Sequence, residues 1–203
     1  MIFSNQDYYV LHQTKRNFIN RLKTILKPYP YDHYCSRIKS EQSISTKLQR
    51  RCYDVTTDNA IEKLSDIIGI RIVCQYLTDV YQIVHVLHEK FDIKSEEDYI
   101  AKPKSSGYRS YHLIIEVPIE HTGKALHKGD TIDLEIQVRT MGMDFWASLE
   151  HSLIYNKIKS DSLHVTQEFQ KNEPLIQAEL FRYAEDIFAI DMRLQALEKL
   201  TKE

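Results

Sequence analysis

Residues 66–74 read Asp-Ile-Ile-Gly-Ile-Arg-Ile-Val-Cys, a nearly continuous run of apolar and β-branched side chains. Runs of this length and composition are typical of buried strands. The segment that begins at Asp79 has its apolar residues at helical spacing, namely Val80, Ile83, Val84, Leu87 and Phe91. This spacing predicts an amphipathic helix that packs its apolar face on the strand.

The flanking segments predict the rest of the fold. Residues 131–139 alternate apolar and polar side chains, as a strand with one buried face does. Two further strands are predicted over residues 108–117 and, at an edge, over residues 93–99. A short extended stretch is predicted over residues 34–39 and a hairpin loop over residues 123–130. Helices are predicted over residues 6–27, 40–51, 141–155 and 163–200, the last with a break at Pro174.

This order of elements predicts an α/β or α+β fold. Its mixed central sheet of about four or five strands is flanked by helices and followed by a helical C-terminal tail. Glycine and proline are sparse, with five of each, and no repeat or linker is visible, so we expect a single domain over residues 1–203. The apolar stripe of the tail is broad enough to pack on the sheet or on another subunit.

Composition narrows the class of protein. Hydrophobic residues make up 42% and charged residues 28% of the chain, as in globular proteins. No apolar run approaches the roughly 20 residues that span a bilayer, and the N-terminus lacks a secretory pattern. The three cysteines fit no zinc motif and are interpreted as reduced thiols, which favours a cytoplasmic location.

The first quarter of the chain is basic. Residues 1–51 contain ten Lys and Arg against three Asp and Glu, which suggests a polyanionic partner. Within this quarter, Arg37 and Lys39 share one side of the extended stretch, and Ser43 and Lys47 share one helix face. These groups can clasp a triphosphate, although a solvated basic helix is the alternative interpretation.

Two carboxylates mark the predicted strands. Asp66 stands before an apolar strand, where it is either a turn residue or a ligand for a divalent metal. Glu135, Gln137 and Arg139 alternate on one face of another strand. Three polar groups on an interior strand are costly to bury unless they are paired or face a cleft. We therefore interpret this face as lining a site.

A loop followed by a strand carries the remaining candidates. Lys104 can reach a phosphate, Tyr108 can stack on a base, and His112 is placed four residues further on the same strand face. Simple packing of tyrosines in a sheet is the alternative for this segment.

Together these motifs resemble the synthetase domain of the RelA/SpoT alarmone enzymes over residues 31–156. The matching segments, in family order, are Arg37-Ile-Lys39, Asp66-Ile-Ile-Gly-Ile-Arg71, Pro103-Lys-Ser-Ser-Gly-Tyr-Arg-Ser-Tyr-His112, Glu135-Ile-Gln-Val-Arg-Thr140 and Met143-Asp-Phe-Trp-Ala-Ser-Leu-Glu-His151. No His-Asp dipeptide of a hydrolase domain occurs in the chain. The resemblance therefore implies a nucleotidyltransferase-like synthetase fold and a stand-alone small alarmone synthetase.

The resemblance also implies an activity. A Mg²⁺-dependent GTP pyrophosphokinase moves the β,γ-pyrophosphate of ATP to the 3′-hydroxyl of GTP or GDP, which gives (p)ppGpp and AMP for stringent-response signalling. It implies that Asp66 and Glu135 hold the metal and are catalytic, with Glu135 also the candidate base. The implied ATP-binding residues are Arg37, Lys39, Ser43, Lys47 and Arg71, with the two arginines around the adenine. The implied GTP/GDP-binding residues are Lys104, Tyr108, His112, Gln137 and Asp144.

Other expectations concern partners and acceptor. We divide the chain into an N-terminal helix (residues 1–30), the synthetase core (31–156) and C-terminal helices (157–203) that favour a homotetramer. Regulation by (p)ppGpp or single-stranded RNA remains open, as does the preference between GDP and GTP. Two alternative functions are open. The first is that of a toxic small alarmone synthetase that modifies the 3′ end of tRNA or makes adenosine alarmones. The second is that of a non-catalytic regulator that binds nucleotides or RNA.

Overall fold

Five strands form one mixed sheet in the computed structural model, which describes residues 2–119, 131–155 and 167–201. The strands are β1 (His33–Ile38), β2 (Ile68–Cys74), β3 (Ile93–Asp98), β4 (Tyr111–Pro118) and β5 (Thr131–Thr140). Their order is β1-β2-β5-β4-β3, with β2 and β5 parallel and every other pair antiparallel. The mixed sheet flanked by helices confirms the predicted fold class.

The helices are α1 (Asn5–Leu26), α2 (Glu41–Arg50), α3 (Thr57–Lys63), α4 (Leu77–Lys90), α5 (Met141–Glu150) and α6 (Gln167–Leu200). A π-helical turn, His151–Tyr155, extends α5. Hydroxyl side chains begin several of them: Ser4 caps α1 in a capping box with Asp7, Ser40 caps α2, and Thr140 caps α5. None of the helices in the described part of the chain is both long and apolar enough to cross a membrane.

The two faces of the sheet differ in chemistry. One face is apolar and packs against residues of α1 to α4 in a single core; its central side chains are Ile68, Ile70, Ile72, Leu134, Ile136 and Val138. The other face, here called the polar face, carries Arg37, Arg71, His112, Glu135 and Gln137. Strand register aligns them, because Gly69 pairs with Arg37 and Glu135, while Gln137 pairs with Arg71 and His112. Strand β2 therefore contributes side chains to both the apolar core and the polar face.

Helix α6 closes one end of the molecule. Leu180 and Ala184 of α6 form a second, small apolar cluster with Trp146 of α5, and Tyr108 packs against it. Trp146 donates its indole N–H to the Leu180 carbonyl at 2.7 Å. Other apolar side chains of α6 are exposed, among them Leu175, Ile190, Leu197 and Leu200.

Some predicted boundaries were wrong. The tail has no break at Pro174, since α6 runs through it. Proline removes one N–H donor, but its fixed φ is a helical value, so the helix continues on both sides. Tyr108 does not lie on a strand, because β4 begins at Tyr111. The prediction omitted α3, and residues 123–130, predicted as a hairpin loop, lie outside the described residues.

Candidate active site

Asp66 lies where two lysines converge. It precedes β2, while Lys39 follows β1 and Lys47 lies on α2. Both lysine amines donate to the same oxygen, Asp66 Oδ2, at 2.5 and 2.8 Å. Burial acts to raise the pKa of Asp66, but the hydrogen bonds and charges of the two lysines outweigh it and leave this pKa below its ordinary value. The carboxylate is therefore ionised at neutral pH.

Glu135 is the second carboxylate of the polar face. Its Oε1 lies 3.2 Å from His112 Nδ1, and its Oε2 accepts a hydrogen bond from Gln137 Nε2 at 2.8 Å. Burial acts to raise the pKa of Glu135, whereas the hydrogen bond and charge of His112 bring it below its ordinary value. The negative charge of Asp66 acts in the opposite direction on this pKa, so the two carboxylates interact electrostatically.

These two carboxylates fit a magnesium ion that arrives with a nucleotide. Mg²⁺ in phosphate-transfer sites is held by one or two carboxylates together with substrate phosphates. Asp66 Oδ1 is buried and has no hydrogen-bond partner among the described residues, so one oxygen remains available. Over residues 2–119, 131–155 and 167–201, no cluster of three or more His, Cys, Asp or Glu side chains is suited to a metal. The protein thus offers a partial ligand set.

A cavity of about 550 Å³ lies over the polar face of the sheet. Its floor is the polar face, including Arg37 and Arg71, and its wall is α5 with the π-helical turn. A smaller cavity beside it is lined by Cys35, Gly69 and Glu135. Gly69 has no side chain on the floor of this cavity. A Cβ at this position would lie 3.8 Å from Arg37 Cγ, an ordinary van der Waals contact. Ser43 lies on the first turn of α2, beside the lysine cluster.

Tyr108 also lines the cavity of about 550 Å³. Its hydroxyl lies 2.8 Å from His112 Nε2, so the two residues contact each other although only His112 is on the strand. The Lys104 amine is 4.9 Å from the centroid of the Tyr108 ring and 4.5 Å from that of Tyr99. Burial raises the pKa of Tyr108, which keeps the hydroxyl protonated.

Asp144, on the first turn of α5, is bound by two arginines. Its Oδ1 lies 2.9 Å from Arg71 Nη1 and 3.4 Å from Arg139 Nη1. Sequence reasoning noted Arg139 on the polar face but gave it no role. The structure buries it beneath the cavity, against Tyr108 and Gln137. The sequence feature that could have indicated a role for Arg139 is the alternation of β5, which places it on the same face as Gln137, two residues before it.

A sequence model of the family described as "Region found in RelA / SpoT proteins" matches residues 36–160. The chain belongs to this family. Over 134 residues it is 46% identical to the GTP pyrophosphokinase YwaC of Bacillus subtilis (strain 168), an alignment that covers 65% of this chain and 61% of that protein. The alignments span about three-fifths of the length of YwaC and of a second relative, the GTP pyrophosphokinase YjbM of the same strain.

Solved structures support the RelA/SpoT assignment and the fold. Small alarmone synthetase 2 of Bacillus subtilis has a TM-score of 0.75 and 35% identity, over 94% of this chain and 96% of that chain. Small alarmone synthetase 1 of the same organism, bound to its product pppGpp, has a TM-score of 0.77 and 28% identity, over 96% of both chains.

The twelve residues predicted from the sequence fall into two neighbouring groups. The donor group comprises Arg37, Lys39, Ser43, Lys47, Asp66 and Arg71. The acceptor group comprises Lys104, Tyr108, His112, Glu135, Gln137 and Asp144. The contact between His112 and Glu135 lies within the acceptor group, and the Arg71–Asp144 ion pair joins the two groups. The sheet therefore brings both groups into one site. Their individual roles remain predictions.

Proposed function

We propose that this protein is a small alarmone synthetase, a GTP pyrophosphokinase that transfers the β,γ-pyrophosphate of ATP to the 3′-hydroxyl of GTP or GDP. The observation that carries the proposal is a pair of ionised carboxylates at one site: Asp66 is held by two lysines, and Glu135 contacts His112, which in turn contacts Tyr108. Support comes from the names of the relatives, a GTP pyrophosphokinase and a synthetase bound to pppGpp.

The donor group supplies charge neutralisation and positioning. Lys39 and Lys47 hold the ATP phosphates together with Ser43, and the flat guanidinium groups of Arg37 and Arg71 stack on the adenine. Asp66 and Glu135 hold Mg²⁺, which neutralises charge on the phosphates when bound. Because the lysines already contact Asp66, phosphates bound by the same amines are placed beside the metal ligand.

Glu135 receives the proton of the attacking hydroxyl. Its lowered pKa keeps it in the carboxylate form at neutral pH, as a proton acceptor requires. His112 and Gln137 orient the two carboxylate oxygens through the contacts described above. In-line geometry then depends on how the acceptor is held.

The acceptor group holds the guanine nucleotide. The ring of Tyr108 stacks on guanine, while Lys104 and His112 bind the 5′-phosphates and Gln137 lies beside them. Asp144 accepts hydrogen bonds from guanine N1 and N2, donors that adenine lacks. This arrangement favours a guanine acceptor over adenosine nucleotides or a tRNA end.

We also propose that the protein forms a homotetramer through its C-terminal helices, residues 157–203, with residues 1–30 and 31–156 completing a single domain. The exposed apolar residues of α6 support an assembly surface. The three cysteines are free, in accord with a reduced, cytoplasmic compartment. Size-exclusion chromatography with light scattering measures the assembly, and titration with (p)ppGpp or single-stranded RNA tests regulation.

An acceptor panel tests the proposed activity. Labelled ATP is offered with GDP, GTP, ATP or tRNA, each with and without magnesium. We expect AMP release and labelled product only with GDP or GTP, and only with magnesium. Labelled product formed with tRNA or with an adenosine nucleotide would show that the protein uses that acceptor instead of a guanine nucleotide. Absence of AMP release from every mixture would overturn the proposal and favour a non-catalytic binding protein.

A further inference from the structure

We infer that Arg139 is a positioning residue that holds the acceptor pocket in its binding geometry, an inference that rests on the proposed function. Arg139 lies on β5 and its side chain is only 2% exposed. It is one of the residues that line the 550 Å³ cavity, but almost all of its side chain is covered by neighbouring side chains. Its action on a bound nucleotide therefore passes through the side chains it contacts.

All of its side-chain partners in the described part of the chain belong to the acceptor group. Arg139 Nη2 donates to the Tyr108 hydroxyl at 2.9 Å and to Gln137 Oε1, and its Nη1 lies 3.4 Å from Asp144 Oδ1. The guanidinium carbon is also 5.4 Å from the centroid of the Tyr108 ring. None of its hydrogen bonds among the described residues reaches Asp66 or the two donor-side lysines.

The three partners come from three separate segments of the chain. Tyr108 lies in the loop before β4, Gln137 on β5 and Asp144 on α5. A planar guanidinium with several donors in fixed directions can hold three such groups at once, whereas a lysine ammonium is a point charge on a flexible stem. One buried side chain thus sets the relative position of the stacking ring, the polar amide and the carboxylate.

Keeping a cation at this position is costly. Burial lowers the pKa of Arg139, as desolvation of a positive charge does, although nearby Tyr108 and Asp144 oppose this shift. An apolar residue of similar volume would avoid that cost at a purely structural position. The restriction of its partners to the acceptor group favours a functional reason for retaining the charge.

The test compares Arg139→Lys and Arg139→Met with an exposed control, Arg182→Lys, whose side chain is 71% exposed on α6. Steady-state KM values are measured separately for GDP and ATP, together with melting temperatures. Binding of GDP is measured by calorimetry and by the fluorescence of Trp146, the single tryptophan, whose ring centroid is 6.4 Å from that of Tyr108. These binding measurements do not depend on turnover.

For Arg139→Lys we expect the Kd and KM for GDP to rise by about tenfold or more, the factor for one lost hydrogen bond to a charged group. The KM for ATP should stay within about twofold of the wild-type value, as should both constants of Arg182→Lys. Tyr108→Phe provides a second approach if the arginine variants fail to fold. It deletes the hydroxyl that Arg139 binds, keeps the ring, and should also raise the GDP constants selectively.

The outcomes separate the inference from the proposed function. A wild-type protein that neither binds nor modifies GDP or GTP overturns the proposed function and the inference together. A wild-type protein that does both, with unchanged GDP constants in Arg139→Lys, overturns the inference alone. Equal increases in the GDP and ATP constants, with a lower melting temperature, would show a merely structural role and would also overturn it.

Discussion

The Arg71 guanidinium lies 2.9 Å from the Asp144 carboxylate, and this ion pair joins the adenine side of the proposed site to the guanine side. Arg71 comes from β2 and Asp144 from α5, so the contact also connects the sheet to the wall of the cavity. It places Asp144 between the two proposed nucleotide sites, where we expect its charge to act on acceptor selection.

Replacing this carboxylate should relax base selection. In Asp144→Ala we expect kcat/KM for GDP to fall by about ten- to a hundredfold, because guanine N1–H and N2–H lose their acceptor. Any residual transfer to ADP does not depend on this carboxylate and should not fall in parallel, so selectivity for GDP over ADP decreases. Asp144→Asn keeps one acceptor oxygen and is the matched control. A selectivity that stays constant in Asp144→Ala would place guanine recognition elsewhere.

The two carboxylates should be indispensable for transfer. Asp66→Ala and Glu135→Ala are each expected to lower AMP release by about a thousandfold or more, because each removes a proposed ligand of the metal and Glu135 is also the proposed proton acceptor. Glu116→Ala, on neighbouring β4 with a side chain 52% exposed, is the control. Circular dichroism checks that the fold is retained. Substantial turnover by a folded Asp66 or Glu135 variant would contradict the metal assignment.

Loss of the Tyr108 ring should act mainly on the acceptor. Tyr108→Ala is expected to raise the KM for GDP by about tenfold, within the range for one stacked base, and to leave the KM for ATP nearly unchanged. Tyr9→Ala, 48% exposed on α1, is a control for removal of a tyrosine. An unchanged GDP KM in Tyr108→Ala would count against stacking at this position.

Gly107 supports Tyr108 through its backbone. It has a φ of +91°, and a Cβ at this position would stand 2.6 Å from the Cβ of Ala184 on α6. Gly107→Ala should therefore destabilise the fold by about 1–3 kcal/mol and displace the loop that carries Tyr108. Denaturant unfolding measures the loss. Gly69→Ala, which meets only ordinary contacts, should change stability little; equal effects of the two substitutions would argue against the close packing of α6 on this loop.

Asp191 should make stability depend on pH. Burial raises its pKa, more than the hydrogen bond from Thr140 lowers it. Since the folded-state pKa exceeds the unfolded-state value, the folded protein binds the proton more tightly and loses stability as pH rises through that window. Asp191→Asn carries no charge. Its melting temperature relative to wild type should therefore increase from about pH 4 to about pH 7.

The control for this effect is Asp186→Asn, an exposed position on the same helix. Its melting temperature relative to wild type should not follow this trend. If the melting temperature of Asp191→Asn instead falls relative to wild type as pH rises, the folded-state pKa of Asp191 is lowered rather than raised.

Elements with a strong period were predictable from the sequence. The apolar spacing of α4 and the alternation of β5 each indicated both the type of element and its buried face. Helix α3 was missed because its seven residues are too few to show a helical period. At the edge strand β1, His-Tyr-Cys-Ser-Arg-Ile lacks a run of apolar residues, so only an extended stretch could be predicted.

The site was predictable as a set of residues but not as a set of contacts. Lys39 and Asp66 are 27 residues apart, and Tyr108 and Arg139 are 31 apart. Lys39 meets Asp66 because β1 pairs with β2, and Tyr108 meets Arg139 because β4 pairs with β5, pairings that local patterns do not encode. Arg139 lacked a role for the same reason, since its partners come from segments distant in sequence.

The alternation of polar and apolar side chains along β5 limits which insertions and deletions the gene can accept. Glu135, Gln137 and Arg139 lie on the polar face only because Ile136 and Val138 occupy the core between them. Since side chains on a strand alternate with a period of two, inserting or deleting one residue before Glu135 exchanges the two sets. The polar side chains of the proposed site would then enter the core, while isoleucine and valine would lie on the polar face. A point substitution along β5 changes one side chain and keeps the register, whereas a single-codon indel there is expected to disrupt the core and the site together.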